Sequence, residues 1–334
     1  MTISYGAQQN GLICGFRFTP TEGGRPIGLA DAVDWLQASA PDGDEAFIWL
    51  HFDLTHASAQ SWMQANLALA PEFFEALREG SRSTRIEDAQ DNLIAVVNDV
   101  AYEFAFDPSE IETLWMSVSR RAAVSARVHP LRSIDRLREA VKQGARFSST
   151  VDLLNHLMND QGDVLVRIVR EATLKVDSIE DSLLRGRMKH QRAELGKLRR
   201  VLVRLQRLLA PEPAALFRLL RQPPPWIATH DLDELRQATE EFSLVLRDLA
   251  ALQERIKLLQ EEIAAQVSEQ TNRSLFTLTM VTVLALPINI TTGFFGMNVG
   301  GIPFAEHKYG FVTVVLLVAV FTAAAGWLAF RRRE

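Results

Sequence analysis

Residues 274–305 read SLFTLTMVTVLALPINITTGFFGMNVGGIPFA, 32 positions without an Asp, Glu, Lys or Arg. A second uncharged run, the 22 residues YGFVTVVLLVAVFTAAAGWLAF, follows at 309–330. A bilayer's hydrocarbon core needs about 20 apolar residues of helix, so the runs predict two membrane spans, Leu275–Phe295 and Tyr309–Phe330. Residues Gly296 to Lys308 leave room only for a tight connection, which makes the spans antiparallel neighbours with both flanks on one side. Arg273 precedes the first span and Arg331, Arg332 and Arg333 follow the second, whereas the connection holds only Lys308, offset by Glu306. The positive-inside rule then places both termini in the cytoplasm and the loop outside. Two core helices of a soluble protein would also be apolar, but two consecutive uncharged runs flanked by arginine on one side rarely arise that way.

Working outward, the rest of the chain is of a different kind. The whole has 334 residues, 47% hydrophobic and 23% charged, with formal net charge -5 and a mean hydropathy of zero. That zero is an average over unlike parts, since the 280 residues outside the two runs hold all 77 charges, about 28% of their number. One cysteine, Cys14, excludes a disulfide scaffold and a CxxC metal site. A pI near 5.9 without long Lys/Arg runs argues against a nucleic-acid partner. The start MTISYGAQQNGLICGF lacks a basic-then-apolar pattern, so the N-terminal body is expected in the cytoplasm.

From Asp231 to Leu286 there is no Pro or Gly, and the charge-rich pattern runs into the first span without a break. Asp231 and Glu234 fit a capping box at its start, which predicts one helix of about 65 residues and about 100 Å. Leu235, Phe242, Leu249, Ile256 and Ile263 recur every seven residues, with Val245, Leu252 and Leu259 on an adjacent row. Such a stripe serves a helix packed on its own domain or a stalk meeting copies of itself. Residues 12–128 alternate short apolar runs (Leu12–Phe18, Ala46–Phe52, Leu93–Val100, Leu114–Val118, Ala122–Val128) with helical patterns at Ala30–Ala38 and Pro71–Glu79, as in a mixed α/β domain. Helical segments follow at Leu131–Lys142 and Val151–Gly162, the second with Ser149 as N-cap and Asp152 as its reciprocal partner; a helical hairpin comes next, Asp163–Leu184 and Ala193–Leu209. Pro223, Pro224 and Pro225 close that region. The expected organisation is therefore an α+β cytoplasmic domain (1–147), a helical hairpin region (148–230), a stalk helix continuing into the first transmembrane helix (231–298), an outer loop (299–308), a second transmembrane helix (309–330) and a basic tail (331–334).

Gly296-Met297-Asn298 stands at the outer end of the first of two C-terminal spans, after a long charged helix and an α/β domain. In that setting the triplet resembles the CorA superfamily of divalent-cation transporters. Val299-Gly300-Gly301-Ile302-Pro303 is similar to the loop of the zinc-transporting ZntB branch and departs from the Met-Pro-Glu-Leu of the magnesium-transporting branch. Lys175–Leu184 and Leu198–Leu209 resemble the family's helical hairpin, and Pro287 falls where family members commonly carry a proline in the pore helix. The resemblance implies a CorA-like homopentameric funnel, with the first span lining the pore and the second forming an outer ring.

Divalent ions hold water tightly, so neutral oxygens that hydrogen-bond the hydration shell suit capture at a membrane mouth. Asn298 offers an amide oxygen and Gly296 a close backbone approach; a plain Gly-Asn helix stop has the same local pattern. Counting back by helical steps, Gly293, Asn289, Leu286, Thr282, Leu278 and Leu275 share one face. An amide at mid-membrane, Asn289, is costly unless it faces water or a partner helix. The three leucines either form constrictions that gate by dewetting or face lipid. The span holds no Asp, Glu or His, which suits passage of a hydrated or partly hydrated ion. Glu306 and His307 in the outer loop attract Zn2+ or are simply solvated. Residues 1–273 carry a formal charge of -7, an acidic body that would concentrate cations; the basic ring of Arg331, Arg332 and Arg333 opposes it and could hold anionic lipid. His129, His156, His190 and His230 show no HxxH or HxxxH spacing and remain weak candidates for cytosolic metal sensing.

The expected function is Zn2+ uptake across an inner (plasma) membrane through a pentameric pore with a Gly-Met-Asn entrance, and the branch it resembles implies proton coupling. The nearest alternative is a CorA-like Mg2+, Co2+ or Ni2+ channel. A membrane-anchored sensor or enzyme is the reading from another class, and residues 1–150 show no phosphate-binding glycine loop or nucleophile elbow to support it. No resident cofactor is expected, and the expected partners are further copies of the chain, the bilayer and divalent metal ions.

Overall fold

The structure is a computed structural model describing residues 9–20, 22–38, 45–80, 84–89, 91–102, 104–107, 110–185, 191–297, 300–303 and 308–331. The chain divides into two compact units, residues 1–259 and 260–334.

In the first unit, seven strands form one sheet: β1 (Leu12–Thr19), β2 (Glu22–Pro26), β3 (Phe47–Asp53), β4 (Arg85–Ala89), β5 (Asn92–Val100), β6 (Ile111–Val118) and β7 (Ala122–Arg127). Their order is β2-β1-β3-β7-β6-β5-β4. Only β3 and β7 pair in parallel; β1 pairs antiparallel with both β2 and β3, and β4 to β7 form an antiparallel meander. All five apolar runs of residues 12–128 became strands. The two edge strands were not foreseen, because EGGRP and RIEDA lack an apolar run and face solvent along much of their length.

The central strands are buried on both faces, and their period of two sorts side chains into two cores. Trp49, Phe47, Ala95, Val97, Leu114 and Met116 point to one side. Ile48, Leu50, Phe52, Ile94, Val96 and Trp115 point to the other. Against the second face lie α1 (Leu29–Gln37), α2 (Ala59–Asn66) and α3 (Pro71–Glu79), and of these only α2 lacked a clear periodicity in the sequence. Against the first lie α4 (Arg132–Lys142), α5 (Thr150–Leu184), α7 (Pro211–Arg221) and the start of α8 (Thr229–Phe295), while α6 (Gln191–Leu209) connects α5 to α7.

Three expectations about helix ends change. The segments read separately as Val151–Gly162 and Asp163–Leu184 are one helix, α5; a mid-helix glycine costs only about 1 kcal/mol, and burial of Leu157, Val164, Leu165 and Ile168 on either side of it outweighs that. Ser149 caps α5 as expected, accepting from Asp152 N at 2.9 Å, but the Asp152 carboxylate takes its bonds from Ser148. The capping box at Asp231 is not formed: α8 begins at Thr229, with Leu232 N bonded to Ala228 O at 3.2 Å. The Asp231 side chain is instead engaged by Ser149 Oγ at 2.7 Å.

The seven-residue stripe of α8 turns inward. Leu235, Phe242, Leu249, Leu252, Ile256, Leu259 and Ile263 are buried, and Val245 is half-buried. Arg255 ties the helix to α5, with Nη1 2.7 Å from Asp177 Oδ1 and Nη2 donating to Glu180.

The second unit consists of α8 from Gln260 onward and α9 (Gly310–Arg331). Among the described residues, α8 is the one helix long and apolar enough to cross a membrane, and α9 adds the apolar stretch Gly310–Ala324. The first span ends at Phe295 as expected, and the second is shifted by one residue at each end.

Candidate ion-conduction site

Within α8 the apolar stretch carries five hydroxyls that bond back to their own helix. Ser274, Thr277, Thr282, Thr291 and Thr292 each donate to the carbonyl four residues back, at 2.6–3.0 Å, so none needs water or a neighbour in an apolar medium. Pro287 lies inside the helix, as expected.

Leu275, Leu278, Thr282, Leu286, Asn289 and Gly293 are all exposed in the single chain. At 100° per residue they fall within an arc of about 80°. A different row, Met280, Leu284, Pro287 and Thr291, is half-covered, and it centres about 170° away from the first. On α9 the covered row is Gly310, Val314, Val318, Thr322 and Gly326, spaced by four. A Cβ added to Gly326 would lie 3.9 Å from Leu284 Cδ2, so small residues let the two helices approach there. The six exposed residues thus stand on the side of α8 away from its contact with α9.

At the end of α8, Gly296 N bonds Thr292 O at 2.9 Å and Met297 N approaches Phe294 O at 3.4 Å. A side chain at 296 would bring its Cβ to 2.9 Å from Thr292 O, closer than real Cβ contacts run, so the tight end of the helix requires glycine. Met297 is exposed. Asn298, Glu306, His307, Arg332 and Arg333 lie outside the described residues. Arg331 ends α9, and nothing is described of its side chain.

The histidines separate in the fold. His129 is exposed near Glu112; His156 lies 3.5 Å from Asp160 and His230 3.5 Å from Glu234. His190 is outside the described residues. Burial pushes the Cys14 thiol up to about 12, which keeps it protonated and inert as a metal ligand. His51 is buried and, through that burial and the nearby Arg127 and Arg138 charges, held well below the ordinary imidazole value; its Nδ1 pairs with Ser125 Oγ at 2.8 Å.

A buried polar cluster escaped notice in the sequence. Gln161 of α5 donates to Asn98 O at 2.6 Å and to Glu212 Oε2 at 3.2 Å, with Asn98, Thr84 and Thr113 linked beyond. Burial pushes the Glu212 carboxyl up to about 8, the nearby Asp99 adding to it, and burial likewise lifts Asp99 to about 6. Residues 98, 161 and 212 come from three distant segments, so no local spacing marks them.

Residues 44–332 match the family model described as CorA-like Mg2+ transporter protein. The chain belongs to this family. Among CorA-like relatives, the divalent cation transporter CmaX of Pseudomonas aeruginosa is 28% identical over 331 residues, 97% of this chain and 96% of that one. The zinc transport protein ZntB of Yersinia enterocolitica is 25% identical over 316 residues, 91% and 96% of the respective chains. The solved structure of full-length CmaX superposes with a TM-score of 0.80 at 26% identity, covering 98% of this chain and 99% of that one. The resemblance seen in the sequence holds, with CmaX beside ZntB among the relatives. Both of these relatives are named transporters, which sets aside the enzyme reading of the α/β domain.

Proposed function

We propose that this chain moves divalent cations across a membrane as a homopentamer, with Zn2+ as its cargo, and that α8 lines the pore while α9 forms the outer ring. The observation that carries the reading is the two-sidedness of α8. Leu275, Leu278, Thr282, Leu286, Asn289 and Gly293 lie opposite the row that meets α9. If α9 is outside, that face points to an axis shared with other copies. Asn289 then faces water rather than lipid, which removes the cost of an amide at mid-membrane. Leu275, Leu278 and Leu286 narrow the path with apolar rings suited to dewetting. Gly296, Met297 and Asn298 make the outer entrance, where amide and carbonyl oxygens hold a hydrated ion. Glu306 and His307 draw cations to it, and Arg331, Arg332 and Arg333 ring the cytoplasmic side.

Zinc as cargo, taken up into the cytoplasm of a bacterial-type inner membrane with both termini inside, is supported by the Val-Gly-Gly-Ile-Pro loop and the name of the ZntB relatives. The deciding experiment is Zn2+ and Mg2+ flux into proteoliposomes, with and without a pH gradient. Zn2+ flux that depends on the gradient and is lost in Asn298→Ala is the expected result. Mg2+ flux without Zn2+ flux would overturn the choice of cargo, and undiminished flux in Asn298→Ala would overturn the entrance.

A further inference from the structure

Pro287 leaves one carbonyl of α8 without its helical donor. In an α-helix each N–H bonds the carbonyl four residues back, so Val283 O would accept from residue 287, where proline has no N–H. In an apolar surrounding such a group is costly, and transmembrane helices keep a proline where a neighbouring helix or a Ser/Thr hydroxyl supplies the missing bond. The hydroxyls of α8 around this point are committed elsewhere. Thr282 donates to Leu278 O at 3.0 Å, Thr291 to Pro287 O at 2.7 Å and Thr292 to Ile288 O at 2.6 Å.

On α9 one hydroxyl behaves differently from these. Thr313 donates to Tyr309 O at 3.1 Å, in the usual way. Thr322 does not: its Oγ1 is shut off from solvent and has no hydrogen-bond partner among the described residues, not even Val318 O four residues back. It belongs to the covered row of α9, whose other members, Gly310, Val314, Val318 and Gly326, carry no side-chain donor. An orphan donor between two helices is as costly as an orphan acceptor.

The register brings the two orphans to one level. Gly326 faces Leu284, with 3.9 Å from its built Cβ to the leucine Cδ2. Run antiparallel, the covered rows then match turn for turn, Thr322 with Pro287 and Val318 with Thr291. The carbonyl of Val283 points along α8 toward residue 287, hence toward the level of Thr322. Glycine at 326 keeps the backbones close enough for a short side chain to reach across.

We propose that the Thr322 hydroxyl donates to Val283 O and so clasps α8 at its proline. Pro287 lies between Leu286 and Asn289, so the clasp fixes the angle between the half of the span that holds Leu275 and Leu278 and the half that holds Asn289, Gly293 and Gly296. Thr322 is thus a positioning residue, and α9 sets the bend of α8 as well as flanking it. The bearing of the clasp on conduction rests on the transport reading, whereas the bond itself does not.

The test is hydrogen exchange of the full-length protein in lipid nanodiscs, read on peptides covering residues 284–292, beside ion flux in proteoliposomes. Thr322→Val, which keeps the shape and removes the donor, should speed exchange by about threefold or more, the size of one interhelical hydrogen bond, while Thr322→Ser stays close to wild type. In a Pro287→Ala background, where residue 287 supplies its own N–H, Thr322→Val should make no difference. Equal exchange in wild type and Thr322→Val overturns the clasp, and so does an effect that persists in Pro287→Ala. A lipid-embedded structure with Thr322 Oγ1 bonded to Val318 O instead of Val283 O overturns it as well. Flux should change in Thr322→Val and not in Thr322→Ser; unchanged flux overturns the bearing on the pore. Exchange that follows this cycle in a protein whose wild type passes no ion leaves the clasp standing and overturns the transport reading instead.

Discussion

Leu284 on α8 faces Gly326 on α9 across a gap of one methyl group: a Cβ built on the glycine would stand at ordinary van der Waals distance, 3.9 Å, from the leucine Cδ2. The contact therefore has room for one methyl group and little more. Gly326→Ala should leave the assembled protein and its ion flux close to wild type. Gly326→Leu should push the helices apart and cut flux at least tenfold, read in proteoliposomes beside the elution volume of the oligomer. Equal flux in both variants would show that this contact does not hold the helices together.

Gly296 closes α8 against Thr292 with no room for a side chain, since a Cβ would come within 2.9 Å of the Thr292 carbonyl oxygen. Gly296→Ala must open this turn and displace the residues that follow. Flux should fall at least tenfold with the thermal midpoint nearly unchanged, because the turn contributes little buried surface. Flux and midpoint falling together would place the defect in folding instead.

Glu212 makes stability depend on pH. Its carboxyl is pushed up to about 8 in the fold from an ordinary 4.5, so the folded state binds a proton more tightly than the unfolded chain does. Its contribution is complete below about pH 4.5 and is lost as pH rises toward 8, by on the order of 3–5 kcal/mol. Glu212→Gln, neutral and of the same shape, should flatten thermal midpoints between pH 6 and 8 and be the more stable protein at pH 8. Asp99, lifted to about 6, should retain a slope below pH 6 in that variant. A wild-type midpoint that stays flat from pH 6 to 8 would contradict the assignment.

Arg255 joins α8 to Asp177 and Glu180 of α5, but all three side chains are 39–47% exposed. Solvent screening limits such a network to about 0.5–1 kcal/mol. Arg255→Ala should lower the thermal midpoint by about 1–4 °C, and 1 M salt should erase most of the difference. A larger, salt-independent loss would mean that the aliphatic stem of Arg255 packs more than its charge binds.

The features legible in the sequence are those written in local runs. Two charge-free stretches, five continuous apolar runs of strand length and the seven-residue stripe of α8 can each be read from consecutive residues, and each has its structural counterpart. The edge strands β2 and β4 carry no such run, because EGGRP has no large aliphatic or aromatic side chain and RIEDA has one, Ile86. Gly162 looked like a boundary between helices because propensity was weighed without the packing on either side of it. Asp231 and Glu234 looked like a capping box because sequence distance alone does not reveal Ser149, 82 residues earlier, waiting for the same carboxylate.

The candidate site divides along the same line. Hydropathy and helical period, read from the chain alone, were enough to mark the two apolar runs and to put Leu275 to Gly293 on one face of α8, since a helix places side chains by arithmetic. Which face of α8 is covered, by Gly326 and its row on α9, required the folded chain, because two helices choose their contact by shape. The Gln161–Glu212 pair and the Asn155–Asp231 bond required it too. Their members lie 51 and 76 residues apart, and only burial of the surrounding apolar surface brings them within hydrogen-bonding distance and strips away the water that would otherwise make their proximity unimportant.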